Sequence, residues 1–600
     1  MYQETNAQKK PKTKKTPVAV AIPTVPPTIS YTVSMSKPWT HLLEVEMRMN
    51  WTTMPEKAEL KMPVWTPGSY FVREYARHVE DFSVADAAGN NLVWQKINKN
   101  TWQVDTKGAQ EIIAKYNVYA NELTVRTNEL NSDHAFFTPA ALLMFPKGQI
   151  RAASTVKVNP FGNWKVGTGL PPVAGQTNVF RAENYDVLYD SPFEVSDYKE
   201  ITFTVAGKPH RYIMSGEGNY DLPRLAADTA KIVEEAYKIF GELPYNDYTF
   251  IVNLRGGGGL EHLNSTALQW QKFGFKPDAR YNGFLGLVAH EYFHNFNVKR
   301  IRPDALGPFD YENENYTKLL WVAEGGTSYY ESVLNRRAGF ETDKSVLANK
   351  AGAIQQLQSI PGRLETSVEE ASFDAWIKYY RQDENSVNNQ ISYYDKGDLL
   401  NFLLDVKIRT DSNGAKSLDD VMRYLYNEHF KKGKNYTPAD YQKIAEMMAG
   451  KSLEDFFSKY VRGREDIDYD SILIGFGLKL NVTSGRETAY LGANLKQDGD
   501  RLNITSLAQG TPAYEQGLNA NDQIIAIDGN RASQNFLSSY LAEKKPGDKI
   551  KLTVFRFDTI REIEITLGGR GAPGYRIVAV ENPTEDQKRL YRDYFGAELQ

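Results

Sequence analysis

Residues 284–300 read FLGLVAHEYFHNFNVKR. Within this stretch His290 and His294 stand four residues apart. Four residues advance a helix by about 400°, so the two imidazoles project from one face, roughly 6 Å apart along the axis. At that spacing each can place a ring nitrogen about 2.0–2.1 Å from a single zinc ion. Glu291, beside the first ligand, reaches a water activated by the metal rather than the metal itself. It is therefore the expected general base when that water attacks a carbonyl. Phe284, Leu285, Leu287, Val288 and Ala289 make the preceding turns apolar. A buried helix would leave two histidines and a glutamate uncompensated unless a metal joined them, because burying polar groups without partners is unfavourable. One zinc ion per chain is the expectation.

A hydrolytic zinc site usually takes three protein ligands and leaves one position for water. A third histidine six residues after the second is absent, since that position is Arg300. The following helix, in LLWVAEGGTSYYE at 319–331, offers Glu324 instead. Glu324 lies among apolar neighbours, where an unpaired charge is unfavourable unless it meets a cation. Glu331, two turns on, reads as a solvated carboxylate on the helix surface.

The whole chain supports this choice of ligands. It has 600 residues, 71 Lys+Arg against 75 Asp+Glu, 8 histidines and no cysteine. The absence of cysteine removes disulfides, thiolate metal sites and thiol nucleophiles. A near-neutral charge gives no overall pull toward nucleic acid. No apolar run approaches the roughly 18–20 residues that span a bilayer. Composition assigns no compartment. A signal sequence removed before this numbering would fit a bacterial periplasmic or envelope protein, and otherwise the cytoplasm.

The length calls for several domains, and the expected fold is multidomain α+β. Residues 1–27, basic and then proline-interrupted, read as a disordered tail. Residues 28–205 alternate, with Leu43, Val45, Met47 and Met49 on one face and Ala58, Leu60, Met62 and Val64 on the next, so an all-β, sandwich-like domain is expected. Residues 206–465 form the α+β domain that carries the zinc site. There Leu225, Ala226, Ile232, Val233, Ala236 and Ile239 make one helical stripe with Thr229 as its polar member, followed by a strand at 248–254. Helices are predicted at 283–298, 316–337, 395–409, 417–430, 438–449 and 452–462, with Thr437 capping before Pro438. Strands return over 466–570, and 571–600 is a C-terminal extension.

HEYFHNFNVKRIRP, LLWVAEGGTSYYE and ISYYDKG resemble the glycyl aminopeptidase family of zinc metallopeptidases, of gluzincin type. MPVWTPGSYFVREYARHVEDF at 62–82, GGGGLEHLNST at 256–266 and AWIKYYRQDENS at 375–386 are similar to further signatures of that family. The resemblance runs from about residue 28 to past 570. It implies a thermolysin-like catalytic domain and, over 466–570, a PDZ domain, for which GTPAYEQGLNANDQIIAIDG at 510–529 is the most specific match. His290, His294 and Glu324 match the zinc ligands, and Glu291 the general base. Tyr394, in Tyr-Asp-Lys-Gly, matches the phenol that donates to the tetrahedral intermediate, with Tyr393 as its rival.

Glu261 follows a four-glycine run. In zinc aminopeptidases a Gly-x-Met-Glu-Asn strand supplies the glutamate that binds the free α-amino group. Gly258-Gly259-Leu260-Glu261-His262 keeps the glycine and glutamate but has Leu260 for Met and His262 for Asn. Gly258 and Gly259, without Cβ atoms, let a peptide backbone approach. His262 reads as a packing or supporting histidine, and Asn264 is left unassigned. Asp374, Arg381, Asp383 and Glu384 read as a cleft wall in which Arg381 meets either a substrate carboxylate or a structural ion pair.

The expected function is a zinc aminopeptidase acting on peptides with a free N-terminus and a small first residue, Gly or Ala. The alternative is an endopeptidase using the same zinc site, with PDZ capture of peptide C-termini at Tyr490-Leu491-Gly492-Ala493. A non-catalytic PDZ adaptor is the remaining reading. Keeping His290, Glu291, His294, Glu324 and Tyr394 together argues against it.

Overall fold

The structure, a computed structural model, describes residues 26–53, 55–571 and 573–600. The tail expected over 1–27 thus falls almost wholly outside the described residues. The chain forms an N-terminal β module, a central α+β body with helices beyond its sheet, and a C-terminal β module.

In the N-terminal module, a six-stranded sheet runs in the order Val179–Ala182, Ser154–Asn159, Thr28–Ser34, Leu42–Asn50, Glu111–Tyr119, Val79–Asp86. A four-stranded sheet contains Lys57–Lys61 and Thr101–Asp105. The predicted alternation is present: Leu43, Val45, Met47 and Met49 are buried on one face, and Ala58 and Leu60 face the same core. Pairing a period-2 apolar face from each sheet is what makes the module sandwich-like.

The module ends earlier than the expected residue 205. Lys199–Val205 pairs antiparallel with Lys208–Ser215 and opens the next sheet. The cause is local. Ala206 and Gly207 both have positive φ, 47° and 75°, the signature of a tight hairpin turn, so the two strands cannot belong to different domains. The central sheet continues through Tyr248–Asn253 and Ser265–Gln269 to the edge strand Gly258–Glu261.

The predicted helical stripe is the helix Leu222–Phe240, capped by Asp221 and closed by Gly241 at φ 79°. Its buried polar member, Thr229, hydrogen-bonds Tyr212 Oη at 2.8 Å, which satisfies it. Tyr393–Asp411 and Pro438–Ala449 also form, the latter with the Thr437 cap and an Asp440 capping box. Two spans around the motif differ from expectation. The motif helix is Asp278–Phe293 rather than 283–298, because the chain turns sharply after His294 and Val298 takes φ 94°. The helix expected over 316–337 is two, Leu320–Ala323 and Gly325–Arg337, broken at Glu324.

The C-terminal module is not a terminal bead. Its sheet, Ala493–Asp498 through Thr559–Thr566, has its own core, which includes Leu502, Ile524, Leu552 and Val554. Leu478–Thr483, before it, pairs with Gly574–Ala579, after it. The chain then returns as the helix Glu585–Phe595, whose Leu590, Tyr591, Tyr594 and Phe595 enter the core of the catalytic body. The C-terminal extension is therefore part of the central body, with the C-terminal β module inserted ahead of it. Asn388 fixes the module's face, donating to Leu507 O at 2.9 Å and accepting from Gln509 N at 2.8 Å.

Candidate active site

The sheet, the motif helix and the broken helix bring the predicted ligands together. His290 and His294 point their Nε2 atoms at one another across 3.2 Å. Glu324 Oε2 is 3.1 Å from His294 Nε2 and 3.8 Å from His290 Nε2. Asn297 O is 2.9 Å from His294 Nδ1 and so holds the proton there, leaving Nε2 bare. Glu331 Oε2 is 3.4 Å from His290 Nδ1, so a carboxylate faces that nitrogen and favours a proton there. Glu331 thus faces His290 as well as solvent.

Glu324 is seated by close backbone packing. A Cβ on Gly325 would lie 2.5 Å from Gly397 Cα, and one on Gly397 would lie 2.7 Å from Trp321 O. Only two glycines allow the broken helix and the Tyr393–Asp411 helix to approach this closely. Glu324 Oε1 is buried and has no hydrogen-bond partner. Two bare imidazole nitrogens and a buried carboxylate converging without a donor among them fit a divalent cation. Burial raises the Glu324 carboxyl, but the two histidines beside it outweigh that and hold it down at about 2.

Glu291 projects beside this set from the same helix and is buried. Burial pushes its carboxyl up to about 7, the two histidines opposing and Glu261 and Glu324 reinforcing the shift. Gly259 of the edge strand lies against it: a Cβ there would come 2.3 Å from Glu291 Oε1. Gly258 has φ 111°, a conformation that suits glycine. Tyr394 is half-buried, with its ring stacked 6.3 Å from that of His290. Tyr393 is fully buried.

Glu261 ends the edge strand and is 3% exposed. One ligand atom each from Glu261, Glu291 and His294 lies within 4.8 Å of the others. Lys299 Nζ is 3.5 Å from Glu261 Oε1 but only 2.8 Å from Asp190 Oδ1, so its stronger partner is Asp190. Asp190 also meets His262 Nδ1 at 3.1 Å and accepts from Leu263 N at 2.8 Å. Glu261 Oε1 remains without a hydrogen bond. The N-terminal module closes over it: a Cβ on Gly68 would fall 2.5 Å from Glu261 Oε2. Neither Asp190 nor Gly68 has a local sequence signal for this role.

The remaining candidates fall into place. Arg300 is a scaffold residue, donating to Pro244 O, Leu263 O, Asn295 O and Asn264 Oδ1. Asn264 thus has a structural partner. Asp374 pairs with Lys378 at 3.0 Å, and Asp383 accepts from Ser386 Oγ at 3.0 Å. Glu384 and Arg381 are exposed.

Family models match three segments: the Peptidase M61 N-terminal domain over residues 30–197, the M61 glycyl aminopeptidase over 283–400 and the PDZ domain over 489–567. A crystal structure of an aminopeptidase N family protein from Idiomarina loihiensis is 30% identical. It covers 94% of this chain and 100% of that one, with a TM-score of 0.87. An M1 zinc metallopeptidase from Deinococcus radiodurans is 12% identical over 73% of this chain and 94% of that one, TM-score 0.47. Native yeast LTA4 hydrolase is 14% identical over 74% and 66%, TM-score 0.42. No curated protein matches.

Proposed function

The chain belongs to the M61 glycyl aminopeptidase family, and from that premise we propose that it is a zinc-dependent aminopeptidase removing Gly or Ala from peptide N-termini. The observation that carries the reading is the buried, unbonded Glu261 Oε1 beside His294 and Glu291. Its neighbouring cation, Lys299 at 3.5 Å, is held closer by Asp190 at 2.8 Å, so Glu261 keeps an open acceptor for the ammonium of a peptide N-terminus. The turn at Gly68, packed against Glu261, leaves little room for a first side chain and so favours Gly and Ala.

His290, His294 and Glu324 would hold the zinc, which when bound supplies a Lewis acid that activates water and polarises a carbonyl. Asn297 and Glu331 keep both imidazoles in the ligating tautomer. Glu291 takes the proton of the attacking water on its carboxylate and passes it to the leaving amine. Tyr394 donates its phenolic hydrogen to the oxyanion that develops. Gly258 and Gly259, on the free side of the edge strand, accept the substrate backbone in extended form.

A second site accompanies this one. Ala493–Asp498 is an edge strand of the PDZ sheet, with the helix Gln534–Glu543 beside it. It follows Gly492, whose φ of 84° bends the Tyr490-Leu491-Gly492-Ala493 loop. These features support binding of peptide C-termini there by strand addition.

The test compares hydrolysis of free and N-acetylated glycyl peptides, with zinc analysis and Glu291→Gln as control. The free peptides should be cleaved and the acetylated ones spared, and the variant should keep about one zinc per chain while losing activity. Equal cleavage of both would overturn the aminopeptidase reading in favour of an endopeptidase.

A further inference from the structure

Arg381 has no ion pair among the described residues, and neither have Arg73 and Arg126, although Arg381 and Arg73 share one aromatic ring and Arg126 is near enough to Arg73 for its charge to be felt. The guanidinium carbons of Arg381 and Arg73 lie 5.1 Å and 5.3 Å from the centroid of the same ring, Phe71. Phe71 stacks on Tyr380 at 6.3 Å. From there rings lead inward, Tyr380 to Tyr379 at 5.7 Å, Tyr379 to Tyr394 at 5.5 Å and Tyr394 to His290 at 6.3 Å.

On the other side, Arg73 donates to Ser69 Oγ at 3.3 and 3.0 Å, and Ser69 follows the Gly68 that packs on Glu261. Arg126 Nε is buried and has no hydrogen-bond partner. Burial lowers the pKa of Arg73, and the positive charge of Arg126 adds to that effect. Glu122, exposed, is near enough to be felt by Arg73 yet forms no ion pair with it.

Arg73 and Arg126 are partly buried and lack an ion pair among the described residues, which is unfavourable unless a ligand brings the opposite charge, and the exposed Arg381 stands beside them at the entrance. Guanidinium groups match a carboxylate in two-pronged geometry, and the Phe71 ring, backed by Tyr380, supports Arg73 and Arg381 by cation–π contact.

We infer that Arg73, Arg126 and Arg381 form a carboxylate-binding subsite on the rim of the active-site cleft, so that the enzyme favours peptides carrying a carboxylate close to the free N-terminus. The inference rests on the aminopeptidase reading above. The carboxylate comes either from the C-terminus of a short peptide or from an acidic side chain near the N-terminus.

Calorimetric titration of the zinc-loaded Glu291→Gln protein tests it without turnover. Gly-Ala-Ala is compared with its C-terminal amide, and amidated Gly-Asp-Ala with amidated Gly-Asn-Ala. N-acetyl-Gly-Ala-Ala reports separately on recognition of the amine. At least one carboxylate-bearing peptide should bind about tenfold or more tightly than its neutral counterpart, the expected worth of a charged hydrogen bond. The first pair identifies the C-terminus as the source and the second the side chain.

The preference should fall several-fold on adding Arg381→Gln, an exposed position that leaves the fold alone, or Arg73→Gln. It should also weaken in high salt. Equal affinities within both pairs, or a preference that survives both substitutions, overturn the subsite while leaving the aminopeptidase reading intact. Binding of the acetylated peptide as tightly as the free one overturns that reading instead. Failure of every peptide to bind overturns both.

Discussion

His290 is held from behind by Glu331, whose carboxylate sits 3.4 Å from Nδ1. That contact fixes which nitrogen faces the metal position and makes it a stronger base, so its loss should be felt through the ligand rather than the fold. Glu331→Gln should lower zinc affinity by about 10–100-fold, measured by chelator competition, with an unchanged melting curve for the apo protein. At this scale the sequence was most informative. The i, i+4 histidines and a carboxylate among apolar neighbours are local patterns with one chemical use. Glu331 was misjudged for the same reason. Its neighbours along the chain look like a solvated helix face, yet seven residues return a helix to within about 20° of the face that carries Glu324, which is the face turned to His290. Asp190 and Lys299 were out of reach altogether, because their pairing joins residues 109 positions apart through tertiary packing.

Between elements, two glycines play opposite parts. Gly259 faces the flexible end of Glu291, whereas Gly397 faces the backbone of the broken helix. A methyl group at the first displaces a side chain, and at the second it pushes two helices apart. Gly259→Ala should therefore retain stability and lose most activity. Gly397→Ala should destabilise the protein by about 1–3 kcal/mol, as overpacking does, and weaken zinc binding through Glu324. Urea melts together with kcat and zinc content distinguish the two, and the same pattern in both variants would refute the distinction. Periodicity gave most of these elements, including Tyr393–Asp411 and Pro438–Ala449. It missed the break at Glu324, because the apolar pattern of LLWVAEGGTSYYE continues through it. The break follows from glycine contacts with a partner helix some 70 residues away.

Across the whole molecule, the N-terminal module is fastened to the catalytic sheet by charges. His134 lies 3.3 Å from Glu194 Oε1 and 3.6 Å from Glu129 Oε2, and Arg255, just ahead of the glycine run, pairs with Glu129. Burial alone would lower the pKa of His134, but Glu194 and Glu129 outweigh it and hold the imidazolium up to about 10. A raised histidine stabilises fully below its unfolded value of about 6.5, and that contribution is lost as pH rises through its folded value. Glu129, which burial would raise but which His134 and Arg255 hold at about 2, stabilises above the unfolded carboxylate value and fades as pH falls toward 2. The stability difference between the protein and His134→Gln should thus be largest near pH 6 and nearly gone by about pH 10. A difference that does not vary with pH in urea melts would count against this assignment. Overall architecture was legible at this scale in the alternation of periods, but the domain limits were not. The hairpin at Ala206-Gly207 and the return of Glu585–Phe595 to the catalytic core are long-range facts that composition does not carry.

That return has a mechanical consequence. Thr483 and Gly574 face each other in register where the chain leaves for the PDZ module and comes back, and Asn388 grips the module from a third point. A domain hung on one flexible linker samples a sphere, and anything it captures is presented at a concentration set by linker length. A domain gripped at three points has no such sphere. Whatever it holds stands at a fixed range and bearing from the catalytic cleft, so a tethered substrate is either in register with the site or permanently out of reach.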